Sequence, residues 1–135
     1  MAGKAGRWMI IPLLFVGLCT SCDENSPSGD YTSIEGIYTC QESSPHAGVR
    51  QYPVEIDKVN DSENLYIIVN FHNKGQNEFL FAELDVDILL ISNQIISDIR
   101  VEGEGLVDEE FKSIQLNYFT DDGINELDYY SSYTR

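Results

Sequence analysis

Two histidines, three cysteines and a scatter of acidic clusters are the residues of this chain that could do chemistry. His46 and His72 each lie in or beside a turn-like stretch, and no Cys-x-x-Cys or His-x-x-x-His spacing accompanies them. A metal site needs several ligands at suitable spacing, so both are read as solvated loop histidines, and no metal or other cofactor is expected. Cys40 and His46 have the residue types of a nucleophile and its base. Cys40, however, has the inward parity of its strand, where a thiol packs and stays inert, so the dyad is rejected. Asp85-Val86-Asp87, Asp108-Glu109-Glu110 and Asp121-Asp122-Gly123 invite a calcium reading, but none follows the EF-hand loop pattern. Turn formation and solubility explain them better. A carboxylate pair for sugar cleavage would be unusual in so small a domain. Neither a glycine-rich phosphate loop nor a nucleophile elbow is present. No catalysis is expected.

The balance of charge narrows the partners. Among 135 residues, 8 Lys and Arg face 23 Asp and Glu, a net charge of −15. Lys4 and Arg7 lie in the first seven residues and every acid lies after residue 22. From Cys22 onward, 6 positive side chains face 23 negative ones, giving −17 over 114 residues. Such a surface repels phosphates, which excludes nucleic acid as a partner. It also argues against docking on an anionic bilayer by charge. Apolar residues at 42% and aromatics at 11% are too many for a disordered acidic tail, so one folded domain is expected.

The elements that position these residues begin after an address. Met1 to Arg7 is positively charged, and Trp8 to Leu18 is an unbroken apolar run of 11 residues. A spanning helix needs about 20, so residues 1–21 read as a secretory signal peptide. The sequence Leu18-Cys19-Thr20-Ser21-Cys22 resembles the bacterial lipobox, in which a cysteine thiol receives lipid and the signal is cut just before it. Small Ser21 ahead of Cys22 suits that cleavage; bulky Leu18 ahead of the rival Cys19 does not. Cys22 is therefore the expected lipidation site, and several acyl chains on one residue give a stable membrane anchor. The acidic pair Asp23-Glu24 resembles the mark that sends Bacteroidota lipoproteins to the outer membrane and its surface. Residues 22–32 then form the lipidated cysteine and a flexible tether, and residues 33–135 the domain. Cys40 is left without a disulfide partner.

From Ile34 the period is two, broken every dozen or so residues by turn chemistry. Strands are expected at Ile34–Glu42, Tyr52–Val59, Leu65–Phe71, Glu78–Leu84, Val86–Ser92, Ile95–Glu102, Ser113–Thr120 and Ile124–Arg135. All connectors are short except Ser43–Gln51. Short hairpins imply a meander, and eight strands with no obvious edge partner are best closed into an antiparallel up-and-down barrel. An open roll or a sandwich is the alternative. The expected inward set is Tyr38, Cys40, Ile56, Val69, Phe71, Leu116, Tyr118, Tyr129 and Tyr133. So many large aromatics favour a filled barrel over a hollow one.

Gly36-Ile37-Tyr38 on the first strand and the terminal Arg135 resemble the ends of lipocalin-like barrels. Those carry Gly-x-Trp on the first strand and an arginine near the end of the last, which stacks across the aromatic ring. The resemblance implies a lipocalin-like barrel in which Gly36, Tyr38 and Arg135 close one end, with Tyr in place of Trp. Without it, they are ordinary strand residues. In a meander the connectors alternate between two ends. His46, Arg50, His72 and Lys74 fall together at the less acidic one, where the loop 43–51 would meet partners.

The expected function is that of a non-catalytic, lipid-anchored outer-membrane lipoprotein, a binding or interaction module of the cell envelope. Its partners are the membrane, through the lipid, and an envelope protein. The alternative is a lipocalin-like carrier of a small apolar ligand inside the barrel.

Overall fold

The computed structural model describes residues 30–135. The signal peptide, the Cys22 lipidation site and the tether as far as residue 29 lie outside the described residues. The rest is the expected meander: β1 (Gly36–Ser44), β2 (Gly48–Lys58), β3 (Leu65–Val69), β4 (Phe79–Asp85), β5 (Ile88–Ile96), β6 (Ile99–Val107), β7 (Ser113–Asp121) and β8 (Glu126–Thr134). Each pairs antiparallel with the next, and β1 pairs with β8 to close the barrel. The open roll and the sandwich are thereby excluded.

Alternation writes this fold. On β1, Tyr38, Cys40 and Glu42 are buried while Ile37, Thr39 and Gln41 are exposed. On β2, Tyr52, Val54 and Ile56 point inward, opposite Cys40, Tyr38 and Gly36. The core is continuous around the ring, with Ile68, Leu80, Leu89, Ile91, Ile114 and Leu116 fully buried. Period two fixes the inward face, and closure removes the edges that would otherwise recruit another chain.

Several boundaries differ from expectation. The stretch Ser43–Gln51 is not a long loop: Ser43 pairs with Val49 and Ser44 with Gly48, which leaves a three-residue turn. Gly48, at φ +72°, supplies the left-handed step that lets the hairpin close so tightly. The long connector over that end is instead 70–78. Here β3 stops at Val69, and Phe71–Asn73 form a 3-10 turn with Asn70, His72 and Asn73 all at positive φ. Val69 is therefore outward, paired with Glu55 and Phe79, whereas Tyr66 and Ile68 carry the inward parity. The expected break at 93–94 is an irregularity within β5, and the turn is Ser97–Asp98, both at positive φ. The last strand begins at Glu126, because Asp122 bonds the backbone N–H groups of Ile124 and Asn125 and holds them in the turn.

Connectors 59–64, 86–87 and 108–112 share one end with Arg135. Connectors 45–47, 70–78, 97–98 and 122–125 share the other, which we call the mouth.

Candidate functional site

At the mouth, the inward parity of β1 delivers a carboxylate. Glu42 is 1% exposed, the last inward residue of the Tyr38-Cys40-Glu42 series. Register sets Arg50 opposite Glu42, and Tyr52 opposite Cys40 one step deeper. Tyr118 and Tyr129, paired across β7 and β8, supply two stacked phenol rings at a centroid distance of 5.3 Å. The 70–78 connector brings the final partner, His72, whose side chain is 11% exposed.

These groups converge on the carboxylate. Oε1 accepts from Arg50 Nε at 2.6 Å. Oε2 accepts from Tyr52 Oη at 2.5 Å and from the Tyr118 hydroxyl. His72 Nδ1 lies 2.6 Å from Tyr118 Oη and 3.4 Å from Oε2. Burial by itself would raise the Glu42 pKa; hydrogen bonding from His72, Tyr118 and Tyr52 outweighs it and brings the carboxyl down to about 2. With Glu42 ionised, Tyr118 spends its single proton on the carboxylate, and His72 Nδ1 stands within hydrogen-bond reach of the Tyr118 oxygen and, at 3.0 Å, of Arg50 Nη2. Arg50 Nη2 donates to the His72 carbonyl at 3.0 Å. The phenols of Tyr52 and Tyr118 are pushed up chiefly by burial and then by their neighbours in this cluster, so both stay protonated donors.

The connector is pinned as firmly as the side chain it presents. Asn70 Nδ2 donates to the Pro53 carbonyl at 2.6 Å, and its Oδ1 accepts from Gly75 N–H at 2.8 Å. Phe71, fully buried, packs against Tyr118 at 4.7 Å between ring centroids. Residues 70–73 thus cap the barrel as a folded plug.

The opposite end is closed differently. The Arg135 guanidinium carbon lies 4.6 Å from the Tyr38 ring centre and 3.7 Å from that of Tyr31. Its nitrogens donate to the carbonyls of Ser33 at 2.5 Å, Phe111 at 2.8 Å and Glu35. A Cβ on Gly36, itself at φ +138°, would stand 2.6 Å from Arg135 Nη1. Gly36, Tyr38 and Arg135 therefore meet in one cluster. Burial raises the Tyr38 phenol to about 12 against the opposing pull of Arg135, and its hydroxyl donates to the Ile34 carbonyl at 2.9 Å.

Of the four residues expected to face a partner, Arg50 and His72 join the Glu42 cluster, while His46 and Lys74 are exposed and remain outside it. Reading His72 as a solvated loop residue is corrected: the left-handed turn folds its ring inward, edge-on against the stacked rings of Tyr118 and Tyr129. The polar cluster at the mouth is centred on Glu42, which is not among the site residues expected from the sequence. Its parity with Tyr38 and Cys40 was the available signal. Cys40 is buried, and desolvation lifts its thiol to about 11 against the pull of the Tyr52 hydroxyl. Beside it, Ser131 Oγ and Tyr133 Oη are buried with no hydrogen-bond partner among the described residues. No group of three or more His, Cys, Asp or Glu is arranged to hold a metal among the described residues.

No protein-family model matches the chain, and no curated protein matches its sequence. A solved structure of a redesigned β-barrel is similar to it, with a TM-score of 0.56 and 11% sequence identity over 76% of this chain and 90% of that one. That likeness is one of fold. The class is thus a closed, eight-stranded, antiparallel up-and-down barrel, with its interior carboxylate at one end and its arginine at the other.

Proposed function

We propose that this protein is a non-catalytic interaction module, held to a bacterial outer membrane by lipid on Cys22 and offering the outside of its barrel to an envelope partner. The observation that carries the reading is that side chains of the chain itself fill both ends of the barrel. Arg135 over Tyr38 occupies one end, and the Glu42, Arg50 and His72 cluster under the 70–78 connector occupies the other. Accessible features are on the outer wall instead. Two clefts of about 370 and 490 Å³ border Tyr129 there, and Phe79, Phe81, Leu90 and Ile95 stand exposed. The Arg135 end is where the chain arrives from the tether, so the anchor would leave the mouth and the upper wall facing away from the bilayer. A carrier of a small apolar ligand is less well supported. The interior is packed with aromatics, and its two unpartnered hydroxyls, Ser131 and Tyr133, would be poor company for such a ligand.

Native mass spectrometry of the full chain, extracted from bacterial membranes in detergent, tests the reading. The expected mass is that of the chain from Cys22 plus its acyl groups, and Cys22→Ala removes the acyl mass. An additional few hundred daltons on every molecule would restore the carrier. Acyl groups retained by Cys22→Ala would remove the assigned anchor.

A further inference from the structure

The outer wall between β6 and β1 holds an aromatic ring among amides and hydroxyls. Outward parity and register set Glu104, Asn117, Tyr130 and Ser43 in one row across β6, β7, β8 and β1. The next row toward the anchor end holds Leu106, Gln115, Ser132 and Gln41. Tyr130 is 47% exposed and reaches diagonally between the rows, its hydroxyl donating to Gln115 Oε1 at 2.6 Å. Gln115 Nε2 in turn donates to Ser132 Oγ at 3.1 Å. These bonds fix the phenol along the wall, so the ring is ordered before anything binds. Clefts open around it. Tyr130 borders three, of about 490, 180 and 310 Å³, and Asn117 borders two of these and a fourth of about 370 Å³. In the two on the β1 side the polar lining is neutral, including Gln41, Ser43, Asn117 and Ser132, apart from the carboxylate of Asp128. Among the described residues, no Lys, Arg or His borders any of the four.

We propose that this wall binds a neutral oligosaccharide, one pyranose stacking on Tyr130 while its hydroxyls meet Asn117, Asp128 and Ser43. A pyranose has the two features this surface can answer. Its C–H face is apolar and flat enough to lie on a phenol ring. Its neighbouring hydroxyls suit planar amide and carboxylate groups, which offer donors and acceptors side by side. Charge narrows the class. A lining without cations, on a chain of net charge −15, repels acidic sugars. A basic ligand would be drawn to carboxylates, but Glu102 and Glu104 stand on β6, two strands from the ring. Ser44 and Pro45 border the largest of the clefts, which places the site toward the mouth, on the side the anchor leaves free.

The inference rests on the reading of the protein as an interaction module whose outer wall does the binding, and its test can fail separately. Amide spectra of the ¹⁵N-labelled full chain are recorded by NMR in micelles of a sugar-free detergent. Cellohexaose, maltohexaose and mannohexaose are the neutral probes, and hexagalacturonate and hexalysine the charged ones. At least one neutral probe is expected to shift the backbone amide of Tyr130 and the side-chain amides of Asn117 and Gln115, saturably at millimolar concentration. Hexagalacturonate is expected to shift none of them. Tyr130→Ala is expected to weaken the binding by about tenfold. Tyr130→Phe, which keeps the ring and loses its tie to Gln115, falls between. Both substitutions are on the outward face, so unchanged shifts at Ile56, Leu80 and Leu116 show that the barrel is intact. No shift with any neutral probe, equal shifts with hexagalacturonate, shifts with hexalysine alone, or unchanged affinity in Tyr130→Ala would overturn the proposal. Saturable sugar shifts confined to another stretch of the wall would overturn it too, while leaving the interaction-module reading standing.

Discussion

Glu42 and Tyr118 lie 76 residues apart in sequence and share a hydrogen bond inside the mouth of the barrel. The carboxylate is thereby a tie between the first strand and the seventh, and His72 and Arg50 extend the tie to the 70–78 connector and to β2. A buried ion held in this way stabilises only while it is charged and fully bonded.

Acid should therefore loosen the mouth. The Glu42 carboxyl sits at about 2 in the folded protein, below the 4.5 of an ordinary glutamate. A depressed folded value means that the stabilisation is complete above pH 4.5 and is lost as pH falls toward 2. Its size is at most roughly 3 kcal/mol. Glu42→Gln should lack this component. Its unfolding free energy should lie below that of the parent at pH 7 and approach it between pH 4.5 and 2. Denaturant titrations across that range check it, and a constant offset at every pH would contradict it.

The Arg135 end makes a steric prediction. Gly36→Ala places a methyl 2.6 Å from Arg135 Nη1 at a backbone φ of +138°, which L side chains rarely adopt. Both effects destabilise, by roughly 1–3 kcal/mol together. Arg135→Ala removes the cation over Tyr38 and three carbonyl bonds, for a loss of about 2 kcal/mol. The two substitutions act on the same contact, so their effects should be less than additive. Thermal unfolding of the single and double variants reads this directly. An unchanged Tm in Arg135→Ala would sink it.

Much of this was legible because period two is a strong code. Tyr38, Cys40, Tyr52, Val54, Ile56, Leu116 and Tyr118 are inward as their alternation demanded. Legibility failed where local backbone chemistry overrode hydrophobicity. Leu65–Phe71 is apolar on both faces, so parity could not be read there, and Val69 came out reversed. Three non-glycine residues at positive φ between Asn70 and Asn73 turn His72 inward, and side-chain hydrogen bonds hold that geometry. The role of Glu42 is hidden in the sequence for another reason. A lone carboxylate on a core face reads as a strand end until Arg50, Tyr52 and Tyr118 arrive from elsewhere in the chain to satisfy it.

Cys40 should be chemically silent in the folded protein. Its thiol is buried and raised to about 11, so almost no thiolate exists near neutral pH. Iodoacetamide labelling of Cys40, read by peptide mass spectrometry, should proceed only through unfolding and accelerate with added urea. Prompt labelling in native buffer would contradict the burial.

Asn70 is the hinge on which the cap depends. Its side chain ties the connector to Pro53 on one side and to Gly75 on the other, while its own backbone is left-handed at φ 61°. Asn70→Ala loses both bonds and places a less tolerant residue in that conformation, for a cost of about 2–3 kcal/mol. The consequence should be local before it is global. Backbone exchange at residues 71–75 should quicken far more than in β7, and the Glu42 carboxyl should titrate at a higher pH as His72 withdraws its hydrogen bond. Asn70→Gly, which relieves the backbone but still lacks the side chain, separates the two causes. If it exchanges as slowly as the parent, the side-chain bonds are not what holds the cap. If it exchanges like Asn70→Ala, they are.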